Sequence, residues 1–254
     1  MEDLDRDRVI PGGADDILRT LEAFGLRWDG PVEYQSRRTD HYAAALSALK
    51  AAGATFECSC SRRELASEEP SPGRYPGTCR SGTRRPGPTS TRFRIERSAA
   101  IVLADRFQGP IDFPPRSIGD VIVRRRDGVF AYQLAVVVDD ALQGISDVVR
   151  GADLLESTGW QMALQEALAL STPRYGHLPL LTEAGGAKLA KSRRSLALEP
   201  ATAGEQLLTV LALLNQSPPA ALAGAPAPEV LAWAVDHWNP RAFHGIKALA
   251  LPEA

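Results

Sequence analysis

The stretch from Cys58 to Thr91 constrains the fold more than any other part of the sequence. It is rich in Pro, Gly, Ser and Arg, a composition that opposes both helical and strand periodicity. Such a stretch buries little apolar surface of its own and usually needs a staple to become ordered. All three cysteines of the chain lie within it, at Cys58, Cys60 and Cys79. The sequence therefore predicts an insertion over residues 58–91 that is stapled through its cysteines.

The cysteines indicate a metal site rather than disulfides, because their number is odd and they lie close together. Thiolates favour tetrahedral zinc, and three of them plus one further donor would close a structural site with no position left for catalysis. Such thiolate sites are typical of a reducing compartment. We therefore expect a structural Zn²⁺ in a cytoplasmic protein, and the alternative is three unrelated free thiols.

Hydrophobic periodicity predicts several amphipathic helices, because apolar residues recur at i, i+3, i+4 and i+7. The helices are expected at residues 15–24, 40–52, 153–170, 205–214 and 230–238. The buried faces of the first two are expected to be Ile17, Leu18, Leu21 and Phe24, and then Tyr42, Leu46 and Leu49.

Strands are predicted where β-branched residues cluster. Two such runs, 118–123 and 129–139, flank Asp127-Gly128, which is a strong hairpin signal. Within the second run, the residues from Leu134 to Val138 are apolar on both faces, which is typical of a central strand. A short strand is expected at residues 177–181.

The formal net charge of −2 and the isoelectric point near 6.1 argue against a protein that holds nucleic acid by bulk charge. Any RNA contact must be local, although each arginine cluster is equally an ordinary solvated surface. The candidate clusters are Arg84-Arg85, Arg124-Arg125-Arg126 and Arg193-Arg194. No stretch approaches the roughly 20 apolar residues that span a bilayer, and the N-terminus is unlike a signal peptide, so no membrane partner is expected.

Lys188 and Lys191 stand three residues apart beside Gly185-Gly186, directly after the short strand predicted at 177–181. Two lysines on a mobile loop can reach the phosphates of ATP and offset the charge of leaving pyrophosphate. The alternative is a solvated basic loop.

Arg150 and Tyr132 can form a carboxylate pocket. An arginine at a strand end can pair with a carboxylate through two hydrogen bonds, and a tyrosine can add a hydroxyl while walling the pocket. The alternatives are an ion pair of Arg150 with Asp147 or Asp153, and a core role for Tyr132. Asp139-Asp140 are interpreted as caps or turn formers and not as site residues.

The order of these motifs carries a family resemblance. Phe130 to Asp140, Gly144-Ile145 and Val148 to Asp153 are followed by His177 to Leu181 and by the loop from Lys188 to Ser192. The chain thus resembles the class I aminoacyl-tRNA synthetases, whose lysine-rich "KMSKS" loop follows the last strand of the nucleotide fold. It is most similar to glutamyl-tRNA synthetases and to their short relatives, the glutamyl-queuosine tRNA(Asp) synthetases. Ala190 departs from the serine usual in that loop.

The resemblance implies a fold and a domain plan. The fold would be α/β, a Rossmann-like class I catalytic domain formed by residues 1–57 and 92–186. A zinc-binding insertion at 58–91 and a lysine loop with a small helical region at 187–254 would complete it. Only 62 residues follow Ser192, so the large helical anticodon-binding part of glutamyl-tRNA synthetase is not expected, which favours the short branch.

The resemblance also implies an activity. The protein would activate glutamate with ATP and transfer it to the queuosine base of tRNA(Asp). In this family Mg²⁺ assists the activation step. Lys191 would bind ATP and act in catalysis together with Lys188, while Glu2, Tyr132 and Arg150 would hold glutamate. The zinc ligands would be Cys58, Cys60, Tyr75 and Cys79, since Tyr75 to Cys79 reproduces the family's Tyr-x-x-x-Cys ending. A monomer is expected.

One departure concerns the front of the chain. Family members begin with a strand and a "HIGH"-type loop that binds ATP, and neither precedes Glu2 here. We therefore expect an N-terminally truncated member, in which Glu2 could alternatively be a frayed terminus. Two explanations compete: a start codon assigned too far downstream, which is favoured, and a genuine truncation with little activity. The competing interpretations are a fragment of glutamyl-tRNA synthetase and an inactive RNA-binding or regulatory remnant.

Overall fold

The structure, a computed structural model, describes residues 1–67, 75–96, 99–114, 117–182 and 198–250. In this part of the chain the α-helices are α1 (Gly13–Ala23), α2 (Thr39–Ala51), α3 (Arg62–Ser67), α4 (Tyr132–Leu142), α5 (Leu155–Ala167), α6 (Ala203–Leu213) and α7 (Ala227–His237). The strands are β1 (Thr55–Cys58), β2 (Ser90–Phe93), β3 (Ile101–Asp105), β4 (Gly109–Phe113), β5 (Val121–Arg124), β6 (Asp147–Gly151), β7 (Arg174–Leu178), β8 (Leu180–Thr182) and β9 (Ala248–Ala250). The predicted lysine loop with Lys188 and Lys191, and the pair Arg193-Arg194, lie outside the described residues.

The helices α1, α2, α5, α6 and α7 lie where periodicity predicts them. In α2 the predicted face is confirmed, since Tyr42, Leu46 and Leu49 are all buried. Gly53 follows α2 with φ of 67°, a left-handed conformation that glycine adopts without steric cost at helix ends.

The core face predicted for α1 is wrong except at Phe24, just beyond the helix. Phe24 is buried against Ala203 and Ala227, next to α6 and α7. Ile17 is 52% exposed, and α1 has no buried residue within its bounds. The physical reason is that Ile17 lines an open cavity near the start of the chain instead of packing on another element.

The strands of the described residues form small sheets that meet around one core. β1, β2 and β5 make an antiparallel sheet in that order, and β3 pairs with β4 as an antiparallel hairpin. β6 pairs with β7, and β8 with β9, both in parallel. Pro179 separates β7 from β8 in the predicted strand at 177–181, because proline cannot donate a ladder hydrogen bond. The register of β6 and β7 sets Arg150 opposite His177.

The predicted central strand at Leu134 to Val138 is wrong, because this segment is the middle of helix α4. The Asp127-Gly128 turn does form, and the Arg125 amide donates to the Val129 carbonyl at 2.8 Å. Strand pairing then stops at a single bridge between Arg124 and Phe130. A short apolar run cannot distinguish a strand from a helix buried on most sides, and burial overrides the strand preference of valine.

Asp139 is a buried tie between α4 and the N-terminal part of the chain rather than a cap. Its carboxylate accepts hydrogen bonds from Gln35 at 3.0 Å, from Arg38 at 2.8 Å and from Tyr42 at 2.8 Å. The side chains of Arg38 and Asp139 are only 14% and 9% exposed. This pairing positions residues 1–38 against the helix that begins at Tyr132.

Asp139→Ala is expected to lower the free energy of unfolding by about 3 kcal/mol. It leaves a largely buried arginine with only the more exposed Glu33, 3.3 Å away, as an ion-pair partner, and it removes the acceptor of Gln35 and Tyr42. Urea unfolding followed by circular dichroism measures the change. The matched control is Asp16→Asn, which removes an exposed ion pair with Arg19 and should cost under about 0.5 kcal/mol. Equal losses in the two variants would contradict a structural role for the buried tie.

The C-terminal region has an apolar cluster of its own and is joined to the main body by a strand. Leu211 of α6 packs with Val230 and Ala234 of α7. The Nε2 of Gln108 donates to the carbonyls of His177 and Ile246, both at 2.8 Å, which links β7 to the approach to β9. Among the described residues, no helix has the length and apolar character needed to cross a membrane.

Candidate amino-acid site and metal site

Arg150 lies near the C-terminal end of β6 and is held by neutral partners. Its Nη2 donates to Thr158 Oγ1 at 2.8 Å and to Gln161 Oε1 at 2.7 Å, while Nη1 donates to the Tyr132 hydroxyl at 3.3 Å. The alternative of an ion pair with Asp147 is wrong. That carboxylate pairs with Arg106 at 3.0 Å and Arg174 at 2.7 Å. The guanidinium charge of Arg150 is therefore not neutralised by Asp147.

Glu2, Tyr132 and Arg150, the residues predicted to hold an amino acid, come together in space. Tyr132 is the first residue of α4, and its hydroxyl contacts Arg150. Burial raises the pKa of Glu2, although the positive charges of the chain N-terminus and Arg150 oppose this. Burial also raises the pKa of Tyr132; the positive charge of Arg150 opposes this rise, and the negative charge of Glu2 adds to it. The site thus combines one cation, one anion and one hydroxyl.

A cavity of about 640 Å³ opens beside these residues. Met1, Glu2, Gln35 and Tyr132 contribute to its lining, together with Ile17 of α1. An amino acid is a zwitterion, so a carboxylate such as Glu2 and a guanidinium such as Arg150 can satisfy its two charges at once. The arrangement is chemically suited to orient an amino acid, and Tyr132 is not merely a core residue.

The three cysteines form a cluster with metal-site dimensions. Their sulfur atoms all lie within 4.8 Å of one another, and those of Cys60 and Cys79 are 3.6 Å apart. The Tyr75 hydroxyl is 3.4 Å from the sulfur of Cys58 and 4.0 Å from that of Cys60. Tetrahedral zinc with Zn–S bonds of about 2.3 Å requires sulfur atoms about 3.8 Å apart. Three thiolates and a phenol oxygen therefore fit one tetrahedral ion.

The electrostatics of the cluster favour a thiolate at Cys79. Burial disfavours the charged form, but hydrogen bonds, led by the one with the Tyr75 hydroxyl, outweigh burial and lower the pKa of Cys79. The guanidinium of Arg92 lies 3.9 Å from the centre of the Tyr75 ring. A cation over that ring fixes its orientation toward the sulfur atoms.

Comparison with known proteins decides the family. The family model "tRNA synthetases class I (E and Q), catalytic domain" matches residues 1–215. The glutamyl-Q tRNA(Asp) synthetase of Geobacter sulfurreducens is 48% identical over an alignment 256 residues long, which covers 96% of this chain and 81% of that protein. The protein of the same name from Pseudomonas aeruginosa PAO1 is 48% identical over 240 residues, covering 94% and 80%. The chain belongs to the glutamyl-Q tRNA(Asp) synthetase family.

The fold agrees with membership in this class I ligase family. The glutamate-tRNA synthetase of Elizabethkingia anophelis superposes with a TM-score of 0.76 at 22% identity, covering 99% of this chain and 60% of that one. The chain thus spans less than two thirds of the length of that synthetase. The expected class I catalytic fold of mixed helix and sheet is confirmed.

Other residues of the candidate amino-acid site were not predicted from the sequence. Thr158 and Gln161 of α5 bind the guanidinium of Arg150, and His177 lies beside it. A signal was present, since Thr158, Gln161 and Gln165 repeat at helical spacing and form a polar stripe that is buried. His177 is fully buried, with partners on both ring nitrogens.

Asp140 lies inside α4 and is neither a cap nor a turn residue. Burial raises its pKa to about 6, with the negative charges of Asp139 and Glu2 adding to the effect and Arg150 opposing it. Because its pKa in the folded chain exceeds the ordinary value, Asp140 stabilises the fold while protonated. That stabilisation is lost as the pH rises through about 6.

Asp140→Asn is therefore expected to raise the melting temperature at pH 8, where the wild-type carboxylate is ionised, by a few degrees. At pH 4, where Asp140 is already neutral, the same variant should melt close to wild type. Thermal unfolding at the two pH values tests this. A stabilisation of equal size at pH 4 and pH 8 would show that charge burial is not its cause.

The predicted arginine clusters serve internal contacts wherever the structure describes them. Arg126 donates to the carbonyl of Ser59 at 3.0 Å, and Arg85 donates to the same carbonyl at 2.8 Å. Arg125 pairs with Asp5 at 2.7 Å. These side chains fasten the cysteine insertion and the N-terminal segment, which is a structural use of residues considered as RNA contacts.

Proposed function

We propose that this chain activates L-glutamate with ATP and transfers the glutamyl group to the queuosine base of tRNA(Asp). The observation that carries the proposal is the convergence of Glu2, Tyr132 and Arg150 in a chain nearly half identical to glutamyl-Q tRNA(Asp) synthetases. Arg150 would hold a carboxylate of glutamate, and Glu2 its α-ammonium group. We further propose a cytoplasmic monomer.

The reaction would proceed in two steps. The α-carboxylate of glutamate attacks the α-phosphorus of ATP, forming glutamyl-adenylate and releasing pyrophosphate. A hydroxyl of the queuosine cyclopentene ring then attacks the adenylate carbonyl, forming an ester and releasing AMP. Orientation of glutamate by Arg150, Tyr132 and Glu2 lowers the entropic cost of the first step.

The phosphate contacts are proposed for residues of the lysine loop. Lys191, with Lys188 beside it, would stabilise the charge that develops on pyrophosphate. Mg²⁺, when bound to ATP, would neutralise further phosphate charge. In the insertion, Cys58, Cys60, Cys79 and Tyr75 would hold a structural Zn²⁺ that supplies folding free energy and takes no part in the chemistry.

Exchange of labelled pyrophosphate into ATP tests the activation step. We expect exchange with L-glutamate and at least about 100-fold less with L-aspartate or L-glutamine, because each leaves a charged group of the pocket unpaired or misplaced. Exchange that does not depend on glutamate would contradict the proposed activity.

The acceptor is tested separately with labelled glutamate. Queuosine-containing tRNA(Asp) should become labelled, whereas the same tRNA prepared without queuosine should not. Labelling of the 3′ end of tRNA(Glu) would instead indicate a glutamyl-tRNA synthetase fragment.

A further inference from the structure

Asp105 and His177 form a buried pair that contacts Arg150 at Nε, whereas Tyr132 contacts it at Nη1. β3 ends at Asp105 and β7 carries His177, and both side chains are 0% exposed. His177 Nδ1 lies 2.5 Å from Asp105 Oδ2, and His177 Nε2 lies 3.2 Å from Nε of Arg150. The three side chains form one continuous hydrogen-bonded row that ends at the guanidinium.

Asp105 is an ionised carboxylate that only accepts hydrogen bonds. Its Oδ1 accepts from the backbone amides of Phe107 at 2.9 Å, Gln108 at 2.8 Å and His177 at 3.1 Å. Burial alone would raise its pKa, but the hydrogen bonds from the His177 side chain and these amides outweigh burial and lower the pKa to about 2.

The tautomer of His177 follows from its two neighbours. Because Asp105 can only accept, Nδ1 of the ring must carry a proton. The Thr158 hydroxyl could accept a hydrogen bond from a second proton on Nε2, but Nε–H of Arg150 would then face a donor, and two cations would be in contact. The neutral ring with a bare Nε2 satisfies both sides. Nε2 can then accept from Arg150, with the Thr158 hydroxyl 3.1 Å away.

The remaining contacts of Arg150 differ between its two terminal nitrogens. Nη2 is occupied by Thr158 and Gln161, and the guanidinium carbon lies 5.2 Å from the centre of the Tyr175 ring. Among the described residues, Nη1 contacts only Tyr132. Rotation about the Cδ–Nε bond would turn Nε–H away from Nε2 of His177 and would move both terminal nitrogens. The acceptor at Nε therefore holds the plane of the guanidinium with Nη1 at Tyr132.

We propose that Asp105 and His177 are positioning residues for glutamate. The carboxylate of Asp105 fixes the Nδ1–H tautomer of His177, and Nε2 of that ring fixes Arg150 with Nη1 directed toward the substrate carboxylate. This inference rests on the proposed function of Arg150. It assigns neither residue a contact with the substrate.

Asp105→Asn tests the tautomer. The amide fills the same space and its oxygen can keep the backbone hydrogen bonds, but its NH₂ group faces Nδ1. The ring must then carry its proton on Nε2 and present a donor to Arg150. We expect the KM for glutamate in pyrophosphate exchange to rise about 10–100-fold, the range known for outer-shell partners of bound ligands. The KM for ATP should change less than about twofold, since Asp105 supports the amino-acid pocket alone.

Two substitutions at His177 separate hydrogen bonding from packing. The amide oxygen of His177→Gln can reach the position of Nε2 and should keep the glutamate KM near wild type. His177→Leu fills the space without an acceptor and should resemble Asp105→Asn. In the His177→Gln background, Asp105→Asn should add little to the glutamate KM because no ring remains whose tautomer it could change. Additive effects on the glutamate KM would overturn the proposal.

A spectroscopic measurement keeps the proposal testable even if a variant folds poorly. ¹⁵N NMR of the wild-type full chain, assigned with His177→Gln, should show His177 protonated on Nδ1 and bare on Nε2. The opposite tautomer would overturn the proposal. Wild-type glutamate KM in Asp105→Asn would overturn it as well, provided that Arg150→Ala loses glutamate binding by calorimetry. An Arg150→Ala variant that binds glutamate normally would instead contradict the proposed function.

Discussion

Arg150→Ala is expected to raise the glutamate KM in pyrophosphate exchange about 100-fold, because truncating one side of a desolvated charge pair costs about 2–5 kcal/mol. Among the described residues, the wild-type guanidinium donates hydrogen bonds to uncharged groups, so a substrate carboxylate would supply its counter-charge. These groups are the side chains of Thr158, Gln161, Tyr132 and His177 and the carbonyl of Leu154. The KM for ATP should change little. Steady-state exchange at varied glutamate and ATP separates the two effects.

The matched control is Arg150→Lys, which keeps the charge but loses the planar fork that binds two oxygens at once. It should fall between wild type and alanine in glutamate KM. In both variants Thr158 and Gln161 lose a hydrogen-bond donor. Circular dichroism and a melting curve must therefore show that both variants remain folded. Wild-type glutamate KM in a folded Arg150→Ala protein would place the amino-acid site elsewhere.

Cys79→Ala is expected to release bound zinc and to lower the melting temperature by roughly 10 °C, because the binding free energy of a structural metal is also folding free energy. Cys79 is fully buried, and its sulfur lies 3.6 Å from that of Cys60. Its loss removes a ligand from a segment with few apolar contacts. Metal analysis of the purified chain and thermal unfolding with and without a chelator provide the measurements.

Ser81→Ala is the control, since Ser81 is exposed in the same insertion and should leave both zinc content and melting temperature unchanged. Tyr75→Phe tests the fourth ligand, because it removes the oxygen 3.4 Å from Cys58 while keeping the ring beneath Arg92. If a chelator does not shift the melting temperature of the wild-type chain, the cluster does not hold a stabilising metal.

Local patterns in the sequence predicted most helices but misassigned the segment that begins the amino-acid site. The stripe of Tyr42, Leu46 and Leu49 has helical spacing, so its assignment required no knowledge of the rest of the fold. The run from Leu134 to Val138 shows neither the helical nor the strand period of apolar residues, and only its packing among α2, α5 and the strands makes it helical. Long-range burial of that kind leaves no local signature.

The residues of the candidate site likewise divide into those that sequence patterns predicted and those that only long-range packing brings together. Arg150, Tyr132 and Glu2 came from a resemblance in motif order, and the cysteines from composition and spacing. Asp105 and His177 could not be paired from the sequence, because 72 residues separate them and β3 and β7 bring them together. Asp140 was missed because its neighbour Asp139 has the same chemistry but faces the core, and only the helix distinguishes the two.

The pairing of β8 with β9 gives the C-terminal strand a structural role next to the segment that enters the predicted lysine loop. β8 ends at Thr182, from which the chain enters the lysine loop, and β9 is its parallel neighbour. The Gln108 amide ties the same region to the backbone of His177. Deleting residues 245–254 would remove no proposed ligand of glutamate, ATP or zinc. It would nevertheless untether the base of the loop and the strand behind Arg150, so protein engineering should treat this tail as part of the catalytic framework and not as a dispensable extension.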